Sequence, residues 1–74
     1  MYGADWCSDC RRSKAVLDTD GVDYRYVDVE AVPEGADEAF AISGVKSIPV
    51  VVFPDGSHLV EPSDGALRQK LAAV

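Results

Sequence analysis

The spacing of apolar positions changes several times along the chain, and each change marks an element. "MYGAD" is a brief apolar start and predicts a short first strand. "SDCRRSKAVLDTDG" then places Cys10, Ser13, Val16 and Leu17 at helical intervals. It predicts a helix from just after Cys7 to near Gly21, with those four residues facing inward. Ser8 and Asp9 suit its first turn, where free N–H groups and the helix dipole favour acceptors. "VDYRYVDV", Val22 to Val29, is rich in β-branched and aromatic residues and predicts a strand, with Tyr24 and Tyr26 sharing a face.

"PEGADEAFAISG" predicts a second helix, opened by Pro33 and Glu34 and stopped at Gly44. Ala36, Ala39 and Phe40 are its expected inner residues. "SIPVVVF", Ser47 to Phe53, is the most apolar strand and is expected at the centre of a sheet. "PDG" is a turn, because Pro54 presets φ and Gly56 tolerates positive φ. "SHLV" returns as its hairpin partner. "SDGALRQKLAAV" predicts the last helix, with Ser63 as cap and Leu67, Leu71 and Val74 as apolar stripe. The order is β-α-β-α-β-β-α, an α/β arrangement with a mixed sheet covered by helices. Pro49 stands where the central strand begins, since a proline inside it would remove a ladder hydrogen bond.

Size and composition narrow the picture. Seventy-four residues predict a single domain over positions 1–74, and a chain this short buries only about 60% of its unfolded surface. A hydrophobic fraction of 47% is that of a folded globule. No apolar run approaches the roughly 18 residues of a membrane span. No basic, apolar and small-residue sequence marks a secretory leader, so the expected location is cytoplasmic. A formal net charge of -6 argues against nucleic-acid or anionic-membrane binding, both of which reward basic patches.

The candidate chemistry lies in "DWCSDC", Asp5 to Cys10, which holds both cysteines of the chain. Three readings compete. A redox pair fits a first cysteine at a helix N-terminus, where N–H groups stabilise a thiolate, and a second near enough to attack a mixed disulfide on the first. A closed zinc site needs four ligands, whereas Cys7, Cys10 and His58 are the only sulfur and imidazole candidates. A structural disulfide would close a very short loop and constrain the unfolded chain little. The redox reading is preferred, with no metal. Asp9 favours the helix start but repels a thiolate at Cys7, and Arg11 and Arg12 offset that field.

"WCSDC" (Trp6–Cys10), "VDVE" (Val27–Glu30), "IPVVVF" (Ile48–Phe53) and "DGSHLVEPS" (Asp55–Ser63) together resemble the glutaredoxin-like redoxins of the thioredoxin fold, and among them the mycoredoxin branch. The resemblance runs along nearly the whole chain. It implies a glutaredoxin-type βαβαββα fold with a four-stranded mixed sheet flanked by helices. It also implies a nucleophilic Cys7, a buried Cys10 and a cis proline at Pro49. A low-molecular-weight thiol, mycothiol or glutathione, would lie in a groove beside Cys7. Ile48 and Pro49 would form one side, and Ser63 and Asp64 would receive a carboxylate at the far end. Trp6, Ser8 and Asp9 would line the approach.

Two departures stand out. Ser8-Asp9 replaces the Pro-Tyr or Gly-Tyr common between glutaredoxin cysteines, and Glu61-Pro62 replaces a frequent Gly-Gly. The second weakens the case for glutathione and leaves room for mycothiol. The implied activity is a monomeric thiol-disulfide oxidoreductase acting on protein disulfides or protein–thiol mixed disulfides. It would need no tightly bound cofactor, because the cysteines exchange the electrons themselves. The alternatives are a redoxin reduced directly by thioredoxin reductase and a non-catalytic metal- or thiol-binding protein.

Overall fold

The computed structural model describes residues 1–73, so the expected contribution of Val74 to the last helix lies outside the described residues. The order is β1 (Tyr2–Gly3), α1 (Ser8–Thr19), β2 (Val27–Asp28), α2 (Pro33–Ser43), β3 (Val50–Val52), β4 (His58–Val60) and α3 (Asp64–Ala73). The strands form one sheet in the order β2-β1-β3-β4. β1 runs parallel to β2, with Tyr2 opposite Val27, and antiparallel to β3, with Tyr2 opposite Val50. β3 and β4 form an antiparallel hairpin with Val51 opposite Leu59. This is the thioredoxin-like α/β fold, a mixed four-stranded sheet flanked by three helices.

Strand alternation assigns the faces. On one side, Val51 and Phe53 pack with Cys10, Val16 and Leu17 of α1 and Leu67 of α3. α1 and α3 also contact each other. On the other side lie Tyr2 and Val27, which meet α2: the Tyr2 hydroxyl donates to Glu38, and Val27 abuts Gly35. A Cβ on Gly35 would come within 2.6 Å of Val27 Cγ1, so glycine lets α2 settle on the sheet. α2 ends as expected at Gly44, whose φ of 75° is the left-handed conformation of a helix cap.

Four expectations need correction. The strand expected over Val22–Val29 shrinks to Val27–Asp28. β1 has only two residues, so the segment before Val27 has little ladder to join whatever its propensity. Instead Val22 N–H donates to Leu17 O at 2.9 Å, and the Tyr24 hydroxyl donates to Asp18 at 2.7 Å. Ala36 and Phe40 are exposed, and Gly35 and Ala39 form the buried face of α2. The close approach at Gly35 rotates the inner stripe one position back from the one that the larger side chains suggest. The central strand begins at Val50, leaving Ser47–Pro49 as its lead-in, and the Ile48–Pro49 peptide is cis. The hairpin partner likewise begins at His58, leaving Ser57 in the turn.

Candidate active site

β1 ends against α1 in a tight turn. The Cys7 N–H donates to Ala4 O at 3.1 Å, and α1 starts at the next residue. Cys7 is the N-cap. Its sulfur takes the place of the usual capping oxygen and accepts the Cys10 N–H at 3.2 Å. Cys7 is partly exposed. Cys10, one helical turn further on, is buried with 1% of its surface accessible. Both thiols are free.

Gly3 makes room for that burial, because a Cβ there would lie 3.1 Å from both Cβ and Sγ of Cys10. Burial pushes the Cys10 thiol up to about 12, with the hydrogen bond between the sulfurs, the Cys7 sulfur and Asp9 acting the same way against a smaller lowering by the Ala4 backbone N–H. The pair therefore consists of an accessible sulfur at a helix start and a sequestered thiol that keeps its proton.

The acidic residues of the motif are engaged. Asp5 accepts the Tyr26 hydroxyl at 3.3 Å, and Lys14 lies 4.5 Å from the Tyr26 ring centre. Burial and then Asp5 raise the Tyr26 hydroxyl to about 12. Asp9 pairs with Arg12 at 3.2 Å, and the same guanidinium reaches Asp64 at 3.2 Å.

The candidate residues separate into two groups around Cys7. Trp6 and Ile48 line one groove of about 590 Å³. Phe40, Val45 and Lys46 also line it; the sequence pattern assigned Phe40 to the core and gave Val45 and Lys46 no role. Trp6 is 63% exposed and Phe40 47%, so the groove wall is aromatic and open. Pro49 is buried and does not line this groove. Ser63 and Asp64 do not line this groove. Ser63 caps α3 as expected, its hydroxyl accepting the Ala66 N–H at 3.1 Å. Asp64 opens α3 and joins the cysteine motif through Arg12 and Asp9. Ser8 is exposed at the first position of α1.

The lead into α3 carries the second sequence departure. Glu61 has a φ of 47°, the left-handed region that favours glycine. Its N–H donates to Pro49 O at 2.9 Å, which joins this lead to the cis-proline segment. Among the described residues, no group of three His, Cys, Asp or Glu side chains is arranged to hold a metal ion, and His58 is exposed on β4. No helix among them is long and apolar enough to cross a membrane.

A thioredoxin-like sheet with a Cys-x-x-Cys pair at the start of its first helix defines a protein of the redoxin class, consistent with thiol–disulfide chemistry. The glutaredoxin family model matches residues 1–59, and the chain belongs to the glutaredoxin family. It is 32% identical over 75 residues to a Mycobacterium tuberculosis protein named as a glutaredoxin, covering all of this chain and 89% of that one. It is 29% identical over 75 residues to mycoredoxin 1 of Corynebacterium glutamicum, covering all of this chain and 92% of that one. Its fold matches the crystal structure of glutaredoxin Grx-1 from Archaeoglobus fulgidus with a TM-score of 0.85 and 27% identity, over 95% of this chain and 80% of that one.

Proposed function

We propose that the protein is a thiol-disulfide oxidoreductase that reduces protein disulfides or mixed disulfides between proteins and a low-molecular-weight thiol. The carrying observation is the asymmetry of the pair: an accessible Cys7 sulfur held by the Cys10 N–H, above a buried Cys10 thiol. Cys7, as thiolate, attacks one sulfur of the substrate disulfide. A Cys7–substrate disulfide forms and the other half leaves as a thiol. Cys10 then gives up its proton and attacks the Cys7 sulfur, closing the Cys7–Cys10 disulfide and expelling the second half. Two electrons have passed to the substrate. Two equivalents of a small thiol, or a reductase, return them.

The groove of Trp6, Phe40 and Ile48 begins at the residue before Cys7 and offers an apolar surface for the segment that carries the substrate sulfur. Likeness to a relative named mycoredoxin 1 favours mycothiol as the small thiol. A reducing compartment such as the cytoplasm suits a protein that works from the dithiol state.

The test is turnover of the oxidised protein with mycothiol, with glutathione, and with thioredoxin reductase plus NADPH, at matched reducing potential. Mycothiol is expected to sustain the fastest cycle. Cys7→Ser is expected to abolish exchange with every reductant. Cys10→Ser should keep activity on protein–thiol mixed disulfides and lose reduction of protein disulfides that need the second cysteine. Full activity in Cys7→Ser would overturn the reading.

A further inference from the structure

Arg12 pairs with both the cysteine motif and the start of α3. Its Nη1 lies 3.2 Å from Asp9 Oδ1, and its Nε lies 3.2 Å from Asp64 Oδ1. Asp9 is two residues past Cys7, and Asp64 is the first residue of α3. Asp64 Oδ1 is itself buried and has no hydrogen-bond partner, so the nearby guanidinium is its charge partner. The side chains of Arg12, Asp9 and Asp64 are nearly half exposed, and pairs of that kind add little to stability. The effect of this arrangement falls on the site.

We propose that Arg12 is a positioning residue that holds the Asp9 and Asp64 carboxylates and masks their charge beside Cys7, and so sets which disulfides the site accepts by charge. This rests on the reading of Cys7 as the attacking sulfur. With Arg12 in place, an anionic disulfide meets a guanidinium together with the two carboxylates. Without it, Asp9 is released one helical turn from its tether and Asp64 keeps a buried oxygen with no compensating charge. Anionic disulfides are then repelled and cationic ones attracted, while a neutral disulfide is indifferent.

The test is single turnover of the pre-reduced protein, followed by the fluorescence of Trp6, the only tryptophan of the chain. Three probes differ in charge: the dianion 5,5′-dithiobis(2-nitrobenzoate), neutral bis(2-hydroxyethyl) disulfide and dicationic cystamine. In each case the dithiol gives two electrons to the probe and becomes the Cys7–Cys10 disulfide, and the probe leaves as two thiols. In Arg12→Met the ratio of dianion to dication rates is expected to fall about fivefold at low salt, the order expected for one charge lost near the site. The difference should fade at about 1 M salt, where the screening length is about 3 Å.

The neutral probe should change by less than about twofold. Adding Asp9→Asn should bring the ratio back to within about twofold of the parent, and Arg12→Lys should keep it near the parent value. An unchanged ratio in Arg12→Met would overturn the proposal. So would an equal drop with all three probes, which is the mark of a merely structural role, or a ratio that Asp9→Asn leaves low. Should Arg12→Met not fold, Asp9→Asn alone decides: it is expected to raise the anion-to-cation ratio at low salt, and a ratio that it does not raise would overturn the proposal. Activity retained by Cys7→Ser would instead sink the underlying assignment of the sulfur, whatever Arg12 does.

Discussion

Cys10 shows how one residue's position changes its chemistry. Its neighbours in sequence are polar, yet it sits against Gly3 and the α1 core with its thiol pushed up to about 12. The consequence for stability has a definite sign. Below about pH 9 the thiol is protonated in both folded and unfolded chains and contributes no pH dependence. Between about 9 and 12 the unfolded chain releases this proton and the folded chain keeps it, so rising pH favours unfolding. The slope is at most about 1.4 kcal/mol per pH unit for one group. Tyr24 and Tyr26, both raised to about 12, act in the same direction above their usual range. Urea unfolding of the reduced protein between pH 8 and 10.5 should therefore lose stability more steeply in the parent than in Cys10→Ala. Parallel slopes would contradict the burial of the thiol.

Between elements, the contact that seats α2 on the sheet was invisible to pattern reading. α2 settles on the sheet because Gly35 has no side chain above Val27. Gly35→Ala gains helix propensity of about 1 kcal/mol but overpacks a stiff β-branched neighbour, which costs about 1–3 kcal/mol. The expected net result is a loss of about 1 kcal/mol, read as a lower Tm, despite the better helix former. A raised Tm would show that α2 can lift without cost. The same contact explains why Phe40 lies on the groove. With Gly35 and Ala39 inward, the next residue along each turn is carried to the flank of α2, where Phe40 joins Trp6. Helical spacing identified the helix and its ends, but the direction of its inner face depended on Val27, a residue of the sheet outside the helix.

Across the whole molecule, the hairpin turn and the last helix are tied by charge. Asp55 in the turn accepts from the Ser57 hydroxyl and N–H and pairs with Lys70 of α3 at 3.2 Å. The Ser57 hydrogen bonds, helped by Lys70, hold its carboxyl down at about 2. A lowered carboxylate contributes stability above its usual value of 3.8, and that contribution is lost as pH falls from there toward about 2. Thermal unfolding from pH 5 to pH 2 should show a steeper loss in the parent than in Asp55→Asn. Equal pH profiles would show that the turn is not held by the carboxylate.

The sequence alone determined the element order, the helix starts at Cys7 and Pro33, the stop at Gly44 and the cap at Ser63. These rest on local periodicity, capping and φ preference, which act over a few residues. It also determined the cysteine pair, because Cys-x-x-Cys at a helix start is a local arrangement. The tertiary structure decided the rest. It trimmed the second strand to two residues because β1 offers no longer partner. It brought Phe40 and Val45 to Trp6, and Asp64 to Arg12. Residues this far apart in the chain meet only when the sheet orders its strands and α1 lies against α3, a matter of long-range packing that no local pattern encodes.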